Sequence, residues 1–454
     1  MSPVAVQHAM ISAYGYTWKK RRMGGIFPKE YEAAKSRENF TVNQWAEYTE
    51  QQLQKILNHA VHTVPHYRKE FEKHGITEKN IRSISVENIS LLPILSKNDL
   101  RKFGMNLLLS SQREKQGEFF PSSGSTGTPV NILFSHHMHQ RWYALFESRV
   151  RNWAGVDSQM PRGMIGGRRV VPGATGNPPF YRYNYFEKQV YFSAYHISKK
   201  NTENYLEGMR KFNVQYMTGY AMSNYLLARF INENNLEAPE LKCVITSSEK
   251  LTAEMRKLFS EIYHCKTYDG WSGVEACGLI SECEAGGLHI SPDAGFIEVL
   301  DKNFQPVQPG EAGNVYCTGF LNFDQPLIRY AIGDEIILSG NTCSCGRNMP
   351  LVQEICGRQE DVIIGSDGRE MVRFHSVFYD LKSVIRAQVI QHHYNEILIK
   401  VETEKELLKE DEIKIRERIS SQLENVQVQI ETCKEIPLNK NGKFQAVIST
   451  IKHS

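Results

Sequence analysis

Residues Ser122 to Thr128 read SSGSTGT and sit between apolar runs in the stretch FFPSSGSTGTPVNILFS. A segment made only of serine, threonine and glycine has nothing to bury, so the fold must present it as a loop. Gly124 and Gly127 open backbone conformations closed to other residues, and the hydroxyls add donors to the main-chain N–H groups, a combination that suits an anion. The same composition also suits an ordinary surface turn. A P-loop is excluded, because that pattern needs a lysine after its last glycine and Thr128 follows Gly127 here.

At 454 residues the chain is too long for one core and predicts at least two domains. With 41% hydrophobic and 23% charged residues it reads as an ordinary globular protein. The 54 basic and 51 acidic residues leave a net charge of +3, which offers no broad basic field for nucleic acid or membrane. No apolar run reaches the length of a membrane span, and the N-terminus, MSPVAVQHAMISAYGYTWKKRR, is interrupted and contains tyrosine, unlike a signal-peptide core. A cytoplasmic protein is expected. Nine cysteines, an odd number, fit reduced thiols or metal ligands better than a disulfide framework.

Leu53, Ile56, Leu57, Ala60 and Val61 follow the spacing of one helix face and predict an amphipathic helix over 42–61. Ser96 and Asp99, at capping-box spacing after an apolar lead-in, predict another helix start. From there to residue 355, apolar runs such as Val244–Thr246 and Gly313–Thr318 alternate with helical stretches such as Ser223–Asn232, an α/β layout. The character changes after CGRQEDVIIGSDGRE. Val362–Ile364, an Asp367-Gly368 turn and Met371–Phe374 read as a hairpin. A helix over about 404–423 is flanked by Ile397/Ile399/Val401 and Val426/Val428/Ile430, each alternating at period two. The expected division is a large α/β unit over 1–356, a joint at 357–361 and a small α+β unit over 362–454.

Four further segments carry polar groups in suggestive places: VITSSEKLT, with Ser247, Ser248 and Glu249 ending an apolar strand; YDGWSGVEACGLISEC, with Trp271 four residues before Glu275; LIRYAIGDEI, with Asp334 after Gly333; and PLNKNGKFQAV, with Lys443 in a glycine-containing loop. Singly, each has a plain alternative, as a turn, a core indole or a solvated lysine. Cys283 and His289 on one turn, with Cys343 and Cys345 on another, could close a tetrahedral Cys₃His zinc site, although free cysteines are often just small buried groups. In SHHMHQ, His136, His137 and His139 have no cysteine or carboxylate beside them and read as exposed or helix-start residues. Cys317 and Cys356 read as core thiols.

Taken in order, SSGSTGTP, GD, GRQED and NKNGK make the chain, from about Trp45 to its end, resemble the adenylate-forming superfamily of acyl-CoA ligases and adenylation domains. VPHYRKEF, YFSAYHIS, CSCGR and GKFQAVIS narrow the resemblance to the branch of phenylacetate-CoA ligase and the CapK proteins. The resemblance implies a large N-terminal α/β domain and a small α+β C-terminal domain that rotates about a hinge at Glu360. It implies ATP and Mg²⁺ as cofactors, a structural zinc ion, and a small, aromatic or other, carboxylic acid as substrate.

Carried over by position, Ser122, Ser123, Gly124, Ser125, Thr126, Gly127 and Thr128 would wrap the β- and γ-phosphates, and Lys443 would sit between the carboxylate and the α-phosphate. Glu275 would hold Mg²⁺, Asp334 and Arg358 would reach the ribose, and Ser247, Ser248 and Glu249 would lie beside adenine. Trp271 would replace the family's adenine-stacking tyrosine. Asn441 stands where the family commonly has serine or threonine. Tyr195 and Tyr220 would border the acid, with Arg168 and Arg169 near a second anionic group. Three functions are then in view: transfer of the acyl group to CoA, transfer of an acyl or adenylyl group to an amine or hydroxyl, or nucleotide binding by a scaffold without turnover. Nucleic acid and membrane insertion are not expected, and a homodimer is admitted.

Overall fold

The computed structural model of the protein describes residues 3–122, 130–171 and 177–356 and, toward the C-terminus, 363–365, 370–371, 374–378, 381–403, 405–423, 425–437 and 446–451. The joint expected at 357–361, with Arg358 and Glu360, lies outside the described residues, as do Lys443 and the loop residues Ser123, Gly124, Ser125, Thr126, Gly127 and Thr128.

The large part is organised by a twelve-stranded mixed sheet. Five neighbouring strands, next to the antiparallel edge strand Tyr181–Asn184, are parallel, in the spatial order Lys266–Trp271, Cys243–Ser247, Tyr216–Tyr220, Arg162–Gly166 and Gln189–Ser193. Parallel neighbours need a crossover rather than a tight turn, and the helices Thr202–Lys211, Ala221–Glu233 and Ala253–Tyr263 occur between successive strands. Val190, Met217 and Val244 are fully buried on these strands, which read as near-continuous apolar runs because both faces are covered. Antiparallel strands extend the sheet on the other side as far as Gly295–Leu300.

The helix expected over 42–61 runs from Val42 to Thr63, opened by a capping box of Thr41 and Gln44. Its five predicted apolar positions are all 1% exposed or less. Ser96 and Asp99 form the expected capping box for the helix Lys97–Phe103. Ser122 closes a separate hairpin of Gly117–Pro121 with Asn131–Ser135: its N–H donates to Val130 O at 2.8 Å and its hydroxyl accepts from Val130 N at 3.1 Å. These two bonds clasp the ends of the hydroxyl-rich loop.

The C-terminal domain is a four-stranded sheet in the order Gln427–Cys433, Glu396–Glu402, Arg386–His393 and Val447–Ser449, with the helix Lys409–Ser420. Ile397, Ile399 and Val401 are fully buried on one face, as their alternation predicts. The helix is shorter than its predicted 404–423. A small hairpin pairs Ile363–Ile364 with Glu370–Met371, and the residues of its Asp367-Gly368 turn are outside the described set. No described helix is long and apolar enough to cross a membrane.

His139 departs from expectation. Its helix, His136–Leu145, does begin there, capped by Ser135, but His139 is buried against Trp18, Phe120 and Phe134 at 5.2, 5.4 and 4.9 Å. Burial, then the nearby charges of Arg21 and Arg22, push its imidazole down to about 3. It is a neutral packing residue under the loop hairpin.

Candidate active site and cysteine cluster

The carboxyl ends of parallel strands are where open α/β sheets leave a crevice for ligands. Tyr220, Ser247 and Gly270 end three neighbouring strands in register with one another. Gly219, just before Tyr220, has φ of +122°, and a Cβ there would lie 1.9 Å from Ile165 O, so only glycine fits. Ser248 leaves its strand at φ +71°, an uncommon conformation for serine that turns the chain at this edge. Glu249 turns back to accept from the N–H of Met222 at 2.8 Å, near the start of the helix Ala221–Glu233. Three of the residues expected beside the base, Ser247, Ser248 and Glu249, therefore stand together on one edge. Asp269, next along, is pushed up to about 7 by burial, against the pull of the Gly270 N–H and Arg256.

Trp271 and Asp334 meet directly. The indole Nε1 donates to Asp334 Oδ2 at 2.9 Å, and Trp271 is 8% exposed. An indole nitrogen can only donate and a carboxylate can only accept, so this bond fixes the orientation of Asp334. The structure places Trp271 as a buried support for that carboxylate.

Glu275 is 5% exposed and receives the hydroxyl of Tyr330 on Oε1 at 3.3 Å. Burial, then the charge of Glu275, raise the Tyr330 phenol well above its ordinary range, so it stays a donor. Gly273 lies against the other oxygen: a Cβ there would fall 2.3 Å from Glu275 Oε2. One carboxylate oxygen is thus held by a phenol, and the other is kept clear by a missing side chain. That arrangement fits a hard cation that prefers oxygen ligands. Tyr330 lies within the stretch LIRYAIGDEI but was not singled out from sequence; no local signal marks a phenol that meets a carboxylate 55 residues away.

Of the two residues expected to border the acid, Tyr220 stands at the strand edge just described. Tyr195 is 9% exposed, donates to Gly167 O at 3.2 Å, and belongs to the apolar cluster of the C-terminal domain. Arg168 lies over the Tyr191 ring, and Arg169 donates to Ser421 Oγ at 3.0 Å.

Cys283, His289, Cys343 and Cys345 come together, their donor atoms all within 4.8 Å of one another. The Sγ atoms of Cys283 and Cys343 are 3.6 Å apart, and Cys345 Sγ is 3.3 Å from His289 Nε2. Ligands about 2.0–2.3 Å from one tetrahedral ion lie roughly 3.3–3.8 Å apart, so these spacings fit a zinc ion. Gly287 supports the same reading, because a Cβ there would sit 2.7 Å from Cys343 Sγ and 3.2 Å from His289 Nε2. His289 Nδ1 faces Met349 O at 3.4 Å, leaving Nε2 toward the thiols. Cys317 is fully buried as expected, whereas Cys356 is half-buried.

Comparison with known proteins finds similar chains. Residues 363–450 match the model of the CapK C-terminal domain. Protein CapK of Staphylococcus aureus is 25% identical, with 99% of this chain and 98% of that protein covered. A phenylacetate-coenzyme A ligase of Thermus thermophilus is 24% identical over 69% of this chain and 70% of its own length. Among solved structures, 2-hydroxyisobutyryl-CoA ligase in complex with 2-HIB-AMP and CoA superposes with a TM-score of 0.57, at 18% identity and 91% coverage of each chain, which shows a common fold. The chain is thus similar to CapK along almost its whole length and to the phenylacetate-CoA ligases over about two thirds of it, with a fold shared with 2-hydroxyisobutyryl-CoA ligase.

Proposed function

We propose that the chain is an AMP-forming ligase acting in the cytoplasm on a small carboxylic acid. An oxygen of the acid's carboxylate attacks the α-phosphorus of ATP and pyrophosphate leaves; the thiol of CoA then attacks the acyl carbon of the adenylate and AMP leaves. The observation that carries this reading is the double pairing of two stretches, Trp271 with Asp334 and Glu275 with Tyr330, where the strand Lys266–Trp271 ends. Asp334 accepts the ribose hydroxyls with its orientation already set by Trp271, and Arg358 reaches the same sugar. Ser247, Ser248 and Glu249 flank the base. The loop from Ser122 to Thr128 cradles the β- and γ-phosphates, its ends clasped by Ser122 and Val130. Lys443 brings a point charge to the reacting carboxylate and α-phosphate.

Glu275 holds magnesium, which when bound neutralises phosphate charge. Tyr330 keeps that carboxylate turned toward its cation. Tyr330→Phe removes only the hydroxyl, and the expected result is about a tenfold higher Mg²⁺ requirement for pyrophosphate exchange with the melting temperature little changed. An unaltered Mg²⁺ requirement would remove Tyr330 from this role. The four residues Cys283, His289, Cys343 and Cys345 hold a structural zinc with all four positions filled by protein. A joint at 357–361, centred on Glu360, lets the C-terminal domain withdraw Lys443 before acyl transfer.

A second acceptor class has its own support. Protein CapK matches along 99% of this chain and the C-terminal domain matches the CapK model, whereas the matched phenylacetate-CoA ligases align over about two thirds. An amine or hydroxyl could attack the same adenylate in place of the thiol, and this is the second reading. Product analysis with and without CoA separates the two: AMP-coupled product formation that needs no CoA excludes an obligatory CoA ligase. Aromatic acids are the first to try, and Tyr220 is the side chain expected to line their pocket.

A further inference from the structure

The N-terminal helix, Val4–Met23, exposes large apolar side chains on the face turned away from the sheet. Residues 3–18 contain no Asp, Glu, Lys or Arg. Its inner side buries His8, Ser12, Gly15 and Trp18 and packs on the edge strand Tyr181–Asn184 of the large sheet. Its outer side exposes Val6, Met10, Tyr14 and Tyr16, with alanines between them. The turn after the edge strand adds Tyr185 and Phe186, 60% and 48% exposed, with the Phe186 ring 5.0 Å from Tyr16. Exposed apolar side chains gathered on one face mark an interaction surface.

The charges at this surface have one sign. Lys20 and Lys188 are exposed, with Lys20 Nζ lying over the Tyr16 ring, and Lys19 Nζ bonds to Phe186 O at 3.2 Å. Two carboxylates beside this helix are already paired, Glu187 with Arg22 at 3.1 Å and Glu118 with Arg21 at 2.9 Å. A 20-residue helix lying along the outside presents a convex strip about 30 Å long, not a groove for a peptide. Pairing with a second copy would set this surface against itself, and its lysines would find no carboxylate there. An anionic bilayer supplies both an apolar layer for Met, Tyr and Phe and negative headgroups for lysine.

We infer that this face docks the protein on the surface of an anionic lipid bilayer, without insertion of a span. The inference is independent of the reaction proposed above. The test is co-sedimentation of the full chain with vesicles of phosphatidylcholine alone or with about 30% phosphatidylglycerol. The expected result is at least about tenfold more binding to the anionic vesicles, falling about tenfold in Tyr14→Glu/Phe186→Glu and about threefold in Lys20→Gln/Lys188→Gln. The second pair alters only exposed charge, so it decides the matter if the first fails to fold. Equal, negligible binding to both vesicles overturns the inference, as does binding unchanged by the lysine substitutions. A stable dimer in solution that Tyr14→Glu/Phe186→Glu dissolves would assign the face to a second copy instead.

Discussion

Lys443→Ala is expected to lower carboxylate-dependent exchange of pyrophosphate into ATP by at least about a hundredfold, the scale seen when one preorganised charge-stabilising group is removed from a reacting centre. Negative charge spreads over the α-phosphate as the carboxylate adds, and a single ammonium placed there acts more strongly on the transition state than on bound ATP. The variant should therefore lose turnover while its ATP affinity falls little. A surface lysine would give the opposite pattern, with exchange intact. Because the proposed joint carries Lys443 away before the second step, transfer from a supplied acyl-adenylate should survive the substitution. Loss of both half-reactions would contradict the division of labour between the two domains.

The second large effect concerns the Cys₃His cluster. Elemental analysis of unchelated protein should find about one zinc per chain, and Cys343→Ser or prolonged chelation should lower the melting temperature sharply, because structural zinc binding contributes on the order of 10 kcal/mol to folded states that depend on it. Two turns at the ends of neighbouring strands, around Cys283 and around Cys343, are brought together at this point. Arg347 extends the junction: it pairs with Glu284 at 2.9 Å and with Glu38 at 3.2 Å, and Glu38 in turn binds the fully buried Arg149. Loss of the ion should thus loosen both the loops and the packing of the helix Phe27–Arg37. Protein that is folded, zinc-free and unaffected by chelators would dismiss the proposal.

Much of the fold is readable from local pattern. The helix Val42–Thr63 carries a clean apolar stripe and an N-cap, and the strand Glu396–Glu402 alternates in burial as far as Val401, so one neighbour's burial predicts the next. The N-terminal helix gives no such signal. Its buried face holds His8, Ser12 and Gly15 beside Trp18, while Val6, Met10, Tyr14 and Tyr16 are exposed, so periodicity has nothing to detect. Net charge was equally silent about the lysine-edged patch, because a sum over 454 residues cannot report a local arrangement. The helix at Lys409–Ser420 stops short of its predicted ends because the apolar pattern continues into flanking turns.

The site divides in the same way. Motif spacing brought Ser247, Glu249, Glu275 and Asp334 into view, since each lies in a short stretch with its own composition. What those stretches do to one another is tertiary. Trp271 reads as a stacking ring by position but serves Asp334 as a hydrogen-bond donor, across 63 residues of chain. Tyr330 reaches Glu275 across 55. His139 looked like a helix-start residue and became a neutral core ring only through Trp18, contributed by a helix with no visible pattern. The Cys₃His set was legible because cysteine and histidine pairs on two turns are rare enough to stand out.

The most direct measurement incubates the purified chain with MgATP and a panel of small carboxylic acids, aromatic ones first, and identifies the nucleotide products. The account predicts acid-dependent pyrophosphate exchange and, with acceptor present, AMP as the nucleotide released. Formation of ADP, or ATP binding without exchange for any acid in the panel, would contradict it.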